Sequence, residues 1–310
     1  MNIDTTKEYL PVYEALASAV RLKVIQLLAV RPMNIRELAE AVELSSAIMT
    51  MHVKKLEKSG IIRTDMVPGK AGVQKLCVLD VDKIEIAFPA MLEQIKEFHQ
   101  FDVSVGHYTD FQIEPTCGLA TREKIIGEFD EPRYFLDHER VNANILWFGQ
   151  GYIEYKIPNF LLTSHRPEEL EISMEISSEA PDTNSNWPSD ISFYLNNVLL
   201  GSWTSPGDFG DNKGKYTPSW WPSVINQYGL LKYLRITSTG TFMDGKKISN
   251  VTIEDVEIRE KQWTFRVAVE KDAEHIGGVS LFGSGFGNYN QDIIFRLYYA
   301  KEQNEHANKK

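Results

Sequence analysis

The chain has 310 residues, 43% of them apolar and 25% charged, with a formal net charge of −10. That length supports two domains with separate cores, and that composition is ordinary for a globular protein, which argues against collagen-like, disulfide-framework and low-complexity classes. No apolar run reaches the roughly 18 residues that span a bilayer.

The start, MNIDTTKEYLPVYEAL, lacks a signal-peptide pattern. The two cysteines, Cys77 and Cys117, have no metal-ligand spacing. The expectation is a cytoplasmic protein with reduced thiols, no cofactor and no metal site. An acidic total also argues against nucleic acid, but the charge is uneven. Residues 1–100 hold 13 Lys/Arg and 13 Asp/Glu, so the whole deficit lies beyond them. Within 44–79, six bases (Lys54, Lys55, Lys58, Arg63, Lys70, Lys75) face two acids (Glu57, Asp65). A local excess of that kind suits phosphate contact that weakens with salt.

Residues 9–30 keep Leu16, Val20, Val24, Leu27 and Leu28 at a helical period and predict one helix, stopped at Arg31-Pro32. Residues 35–42 predict a short helix capped by Asn34, with Leu38 and Ala41 inward. Glu43-Leu44 is the turn. The next stretch, LSSAIMTMHVKKLEKSG, predicts a longer helix whose Leu44, Ile48, Met49, Val53 and Leu56 form one apolar stripe. Ser45 and Ser46 are its N-cap residues and Gly60 its left-handed stop. The opposite face exposes Ser46, Ala47, Thr50, Met51, Lys54 and Lys58, small or basic residues suited to a groove floor and its phosphates. Taken alone, this also reads as a surface helix with a solvated lysine face. Short helix, turn and longer helix together give helix-turn-helix spacing.

Residues 61–67 and 73–79 have strand character around the tip Pro68-Gly69-Lys70-Ala71-Gly72, a wing charged by Lys70 and Lys75. Residues 81–101 predict a further helix, kinked or started late at Pro89. Its apolar face (Ile84, Phe88, Met91, Leu92, Ile95, Phe98) is broader than so small a domain covers, which points to dimerisation.

LASAVRLKVIQLL, IRELAEAVELSSAIMTMHVKKLEKSGII and the Gly-tipped wing resemble the ArsR/SmtB family of winged-helix repressors over residues 10–100. Ala19-Val20-Arg21-Leu22 and the Thr50, His52, Leu56 spacing carry the resemblance. It implies a homodimer that reads a two-fold operator in double-stranded DNA. The DNA-contacting set would be Ser45, Ser46, Ala47, Thr50, Met51, His52, Lys54, Lys55, Lys58, Lys70 and Lys75. His52 matches the family's histidine in the recognition helix, with packing or a phosphate hydrogen bond as its role. The helix ELAEAVEL has no cysteine, His99 stands with Glu97 alone, and Cys77 reads as a small core residue. A metal sensor of the family's known kinds is therefore not expected, and the signal must enter elsewhere.

Beyond residue 120 the periodicity turns to two. Residues 151–157, 169–177, 191–195, 198–203, 231–238, 249–258, 263–269 and 293–299 read as strands, with Asn196-Asn197 as a hairpin turn. Short strands between Gly, Pro and Asn clusters indicate a β-sandwich or jelly roll. The segment DISFYLNNVLLGSWTSPGDFGD resembles galactose-binding-like sandwiches over a score of residues. The expected fold class is α+β multidomain: a winged helix-turn-helix, mostly α, over 1–102, a linker over 103–118, an all-β sandwich over 119–300 and a disordered tail over 301–310.

Trp187, Trp203, Trp220 and Trp221 fall among loop residues with Asp208 near them. Two readings stand for them: a ligand-sensing site for a carbohydrate-like effector, or tryptophans that plug the ends of the sandwich. Asp190, Asp208 and Asp211 could hold calcium, but in no recognised loop spacing. Glu171, Asp190, Asp208 and Glu254 offer carboxylates for glycoside hydrolysis, but nothing in the sequence sets two together and no catalytic motif occurs, so no enzyme is expected. The leading reading is a ligand-controlled regulator, most simply a repressor. The alternative is a constitutive DNA-binding protein whose sandwich is a dimerisation or docking module.

Overall fold

The computed structural model describes residues 1–69, 72–81, 83–87 and 97–301. Two compact units divide the chain, Met1–Gln94 and Ile95–Lys310.

The first unit runs β1 (Asn2–Asp4), α1 (Leu10–Leu16), α2 (Ala19–Val30), β2 (Met33–Asn34), α3 (Ile35–Ala41), α4 (Ser46–Lys58), β3 (Ile62–Gly69), β4 (Gly72–Leu79) and β5 (Glu85–Ala87). The single helix expected over 9–30 is broken in two, because Ser18 adopts an extended backbone (φ −162°, ψ 123°). Arg21 makes the break stable. It is buried and donates to the carbonyls of Glu14 and Ala15 at 2.6 and 2.7 Å, acceptors that the end of α1 leaves open.

α3 starts in a capping box. Asn34 Oδ1 accepts from the Glu37 N–H at 2.9 Å, and the Glu37 carboxylate accepts from the Asn34 N–H at 2.8 Å. Leu38 and Ala39 face the core, whereas Ala41, expected inward, is exposed. α4 begins with Ser45 accepting from the Ile48 N–H and ends in a Schellman closure. There Gly60 sits at φ +72° and the Gly60 and Ile61 amides bond back to Glu57 and Leu56. β3 and β4 form the wing hairpin and β2 extends it, with Met33 opposite Cys77. Val12, Ala15, Val24, Leu28, Leu38, Met49, Val53, Leu56 and Cys77 make up the core.

The helix expected over 81–101 is replaced in its described parts. Glu85–Ala87 is strand β5, paired in parallel with β1, and Glu97–Val103 is strand β6 of the second unit. Residues 88–96, the centre of that expected dimer helix, lie outside the described residues, as does the tail beyond Lys301.

The second unit continues from β6 with β7 (Asp110–Ala120), β8 (Ile125–Ile126), β9 (Ile145–Pro158), β10 (His165–Ser177), β11 (Ser189–Leu195), β12 (Val198–Ser205) and β13 (Leu230–Thr237). It closes with β14 (Gly240–Met243), β15 (Lys246–Ser249), β16 (Gln262–Val269), β17 (Val279–Phe282) and β18 (Ile293–Lys301). One layer is ordered β12-β11-β16-β9-β7-β8 and the other β15-β14-β13-β10-β18-β6. β17 joins the layers by pairing with both β9 and β10. The inward side chains meet in one core, where Phe265 and Phe295 pack edge to face at 5.4 Å.

Two expectations are corrected here. Most of the linker expected over 103–118 is strand: β7 runs nine pairings along β9 and buries Cys117. Of the strand expected over 249–258, only Ser249 is strand; residues 251–258 are loop and turns that drop Ile253, Val256 and Ile258 into the core without a partner strand.

Candidate nucleic-acid interface and sandwich cavity

α4 divides into two faces. Met49, Val53 and Leu56 are buried, while Ser45, Ser46, Ala47, Met51, Lys54, Lys55 and Lys58 are exposed and Thr50 and His52 are half-buried. Met51 is 61% exposed. Ile48, expected on the buried stripe, is 40% exposed, because the helix packs along Met49, Val53 and Leu56 and turns Ile48 outward. Among the described residues Lys54, Lys55 and Lys58 carry no ion pair. Lys75 differs: its ammonium bonds Glu57 at 2.8 Å, and Glu57 also accepts from the Thr64 hydroxyl. Glu57 thus ties both wing strands to α4, with its carboxyl held below the usual range by these two donors. Thr50 donates its hydroxyl to the Ser46 carbonyl at 2.7 Å, leaving oxygen lone pairs outward. Lys70 lies outside the described residues. Cys77 is fully buried, and burial pushes its thiol up to about 11.

In the second unit the expected tryptophans separate. Trp203 lies on β12 under the Lys232 ammonium, 4.6 Å from its ring centroid. Trp187 is on the loop before β11, its N–H donating to the Pro206 carbonyl. Trp220 donates Nε1–H to the Arg122 carbonyl at 2.6 Å. Trp221 is buried, packed edge-on against Trp147 (5.8 Å) and Phe286 (5.0 Å), with Nε1–H on the Asn226 carbonyl. Of the five residues expected to share a site, Trp221 and Asp208 adjoin one buried polar cluster and Trp220 packs edge-on against Trp221 at 5.4 Å; among the described residues Trp187 and Trp203 make no ring contact with that pair.

That cluster borders a cavity of about 210 Å³ lined by Phe129, Asp130, Trp147, Glu179, Asp182 and Asn226 among others. Glu179 accepts from Thr116 Oγ1 (3.3 Å), Ser280 Oγ (2.9 Å) and Asn226 Nδ2 (2.9 Å). Its carboxyl is pushed well up, first by burial and then by nearby Asp208. Asp208 is fully buried and raised to about 7 by burial against two opposing backbone N–H groups. Asp208 Oδ1 and Asn226 Oδ1 are both buried with no hydrogen-bond partner. Phe129, Trp147, Glu179 and Asn226 escape a sequence reading because they arrive from four separated segments; only the Trp147 side chain carried a usable signal.

Several carboxylates named for calcium or hydrolysis have other partners. Asp190 bonds His275 and Thr204, Asp211 bonds Tyr228, and Glu171 pairs with Arg296. Among the described residues no group of three or more His, Cys, Asp or Glu is placed to hold a metal. No helix among the described residues is long and apolar enough to cross a membrane.

A short helix, a left-handed turn at Glu43, a second helix with a basic outer face and a β-hairpin define a winged helix-turn-helix. Residues 18–64 match the family described as bacterial regulatory protein, arsR family, so this segment is an ArsR-type DNA-binding helix-turn-helix. An uncharacterized HTH-type transcriptional regulator of Methanocaldococcus jannaschii is 39% identical over 54 residues, 17% of this chain and 57% of that protein. The chain therefore matches little more than half the length of this relative. HlyU from Vibrio cholerae superposes with a TM-score of 0.21 at 20% identity, over 24% of this chain and 75% of that one. The β-sandwich resembles the CBM36-1 domain of a multidomain xylanase from the hindgut metagenome of Trinervitermes trinervoides, with a TM-score of 0.28 and 7% identity over 64% of this chain and 96% of that one.

Proposed function

We propose that this protein is a transcriptional regulator that binds a two-fold operator as a homodimer and whose operator affinity is set by a small molecule held in the β-sandwich. In its simplest form it is a repressor released by that ligand. The observation that carries the reading is the outer face of α4, where exposed Lys54, Lys55 and Lys58 form no ion pair among the described residues and share the helix with the small side chains of Ser46 and Ala47. Ser46, Ala47, Thr50, Met51 and Lys54 approach the base edges. Ser45, His52, Lys55 and Lys58 meet phosphates. Lys75 is held by Glu57 and contributes mainly to the wing's position. Trp220 packs on Trp221 and Trp221 on Trp147, while Trp187 and Trp203 join no ring contact with them among the described residues, so of the aromatic surface expected for a carbohydrate-like effector this part remains together. The ligand then belongs to the polar cavity at Trp147 and Asn226.

Genomic fragments captured by the full-length protein, at two salt concentrations and with Lys54→Ala alongside, test this reading. A single palindromic site is expected, with binding that falls steeply with salt and, in the variant, affinity for that site weakened by about 1–3 kcal/mol with specificity relaxed at the contacted position. Capture of no specific fragment would sink the regulator reading and leave the helix-turn-helix as a scaffold.

A further inference from the structure

The cavity beside Trp147 has a one-sided chemistry. Its rim carries two exposed carboxylates, Asp130 and Asp182, while Glu179 is buried with its carboxyl pushed well up, and none of the lining residues is basic. Phe129 and Trp147 meet edge to face at 5.4 Å and 70°, forming an aromatic corner at its wall. Asn226 is only 2% exposed, and both its Nδ2 protons are spent on Glu179 Oε2 and Ser280 Oγ, at 2.9 and 2.8 Å. Among the described residues its Oδ1, itself buried, meets no donor. A buried acceptor left open costs on the order of 1–3 kcal/mol, so it favours a ligand that brings a donor. The acidic rim repels anions and favours positive charge, and an aromatic face attracts a cation placed over it.

We propose that this cavity binds a compact protonated amine, its N–H groups directed to Asn226 Oδ1 and the acidic rim and its carbon skeleton laid against Phe129 and Trp147. The assignment rests on the reading of the sandwich as the effector domain, and it names the class of effector. A protonated amine satisfies donor demand, charge and aromatic wall together. A neutral sugar satisfies the first and third, leaving Asp130 and Asp182 without a counter-charge.

Calorimetric titration of the full-length protein with putrescine at fixed ionic strength tests the proposal, with 1,4-butanediol as the uncharged isostere and xylose as the neutral sugar. Phe129→Ala and Asp182→Asn are the variants; both residues are exposed at the rim, so the fold survives them. Saturable putrescine binding, absent for the diol and weakened roughly three- to tenfold by each variant, is expected. No saturable binding, equal binding of the diol, or binding indifferent to both variants overturns it. Xylose binding lost in Phe129→Ala with no response to putrescine overturns the amine class in favour of a neutral sugar. Operator affinity is measured separately, with Asp182→Asn correcting for putrescine bound to DNA itself. An amine that binds without shifting operator affinity leaves the site standing and removes the control reading alone.

Discussion

Nη1 of Arg21 donates to Nδ1 of His52 at 3.4 Å, while the rest of the same guanidinium holds the carbonyl end of α1. One buried cation thereby joins the first helix to the recognition helix. Arginine only donates, so Nδ1 must accept and the imidazole carries its proton on Nε2. Burial, then the charges of Arg21 and Lys55, push the His52 pKa below its ordinary 6.5. A neutral ring with an outward N–H donor is what a phosphate oxygen can accept from.

Arg21→Ala should therefore cost about 2–3 kcal/mol, since it strips charge-assisted donors from buried carbonyls. The sign of the His52 contribution follows from its depressed pKa. The folded state disfavours the imidazolium, so stability is fully present above pH 6.5 and is lost as pH falls below it. Denaturant titrations of both proteins, with NMR titration of His52, check this. In the variant His52 should titrate nearer 6.5, and unchanged stability would show that the α1 carbonyls are satisfied by water.

Glu57 sets the second prediction. It holds Lys75 at 2.8 Å and accepts from Thr64, so it neutralises a wing cation and fixes the wing at once. The pair is about one-third exposed, so its stability contribution is small, within about 1 kcal/mol. Its effect on DNA should be larger. Glu57→Gln releases Lys75 and should steepen the dependence of operator affinity on salt by about 0.9 in slope. Filter-binding at several salt concentrations reads this directly; an unchanged slope would place Lys75 out of reach of the DNA.

The parts of the fold legible in the sequence are those fixed by local chemistry. Asn34 with Glu37, Ser45 and Gly60 announce helix ends through bonds within four residues, and each is found at such an end. Asn196-Asn197 takes positive φ at both positions, 49° and 66°, as a tight hairpin requires. What could not be read depends on distant partners. β6 is a strand because β18, some 200 residues later, pairs with it; in isolation its Phe98 and Phe101 fit a helical period as well. The break at Ser18 was hidden because Arg21 stabilises it through tertiary bonds that no helix propensity reports. The tryptophans misled for the same reason. Among the described residues Trp187 and Trp203 make no ring contact with the Trp220–Trp221 pair despite their closeness along the chain, whereas Trp147 and Phe129 converge with Glu179 and Asn226 around one cavity.

Three buried carboxyls, Glu179, Asp208 and Glu175, give the sandwich an inverted pH response; burial, then the nearby Asp208, pushes Glu179 well up. Burial raises Asp208 to about 7, and raises Glu175 to about 7 against three backbone N–H donors. A carboxyl with a raised folded pKa binds its proton more tightly in the folded state. Stability is therefore highest below about pH 4 on this account and falls as pH rises towards 7, then levels off. Asp208 should outweigh Glu175, which has three backbone donors, and removing the Asp208 charge also relieves one of the causes that raise Glu179. Melting temperatures between pH 4.5 and 8 should decline in the wild type and decline less in Asp208→Asn, whose carbonyl still accepts from Ala180. Equal slopes in both proteins would place the effect on other groups.

The cavity wall itself depends on a residue with no side chain. A Cβ on Gly118 would lie 2.2 Å from Cζ2 of Trp147, so the strand β7 can pass under the indole only as glycine. Its φ is not in the left-handed region, so alanine is tolerated by the backbone and the substitution isolates packing. Gly118→Ala should cost about 1–3 kcal/mol from overpacking. It should also displace Trp147 from Trp221 and Phe129, altering near-ultraviolet circular dichroism and tryptophan emission. Because the helix-turn-helix is a separate unit, operator affinity without ligand should stay near the wild-type value while any ligand response is lost. A variant that loses operator binding together with the optical change would mean that the sandwich core supports the DNA-binding unit directly.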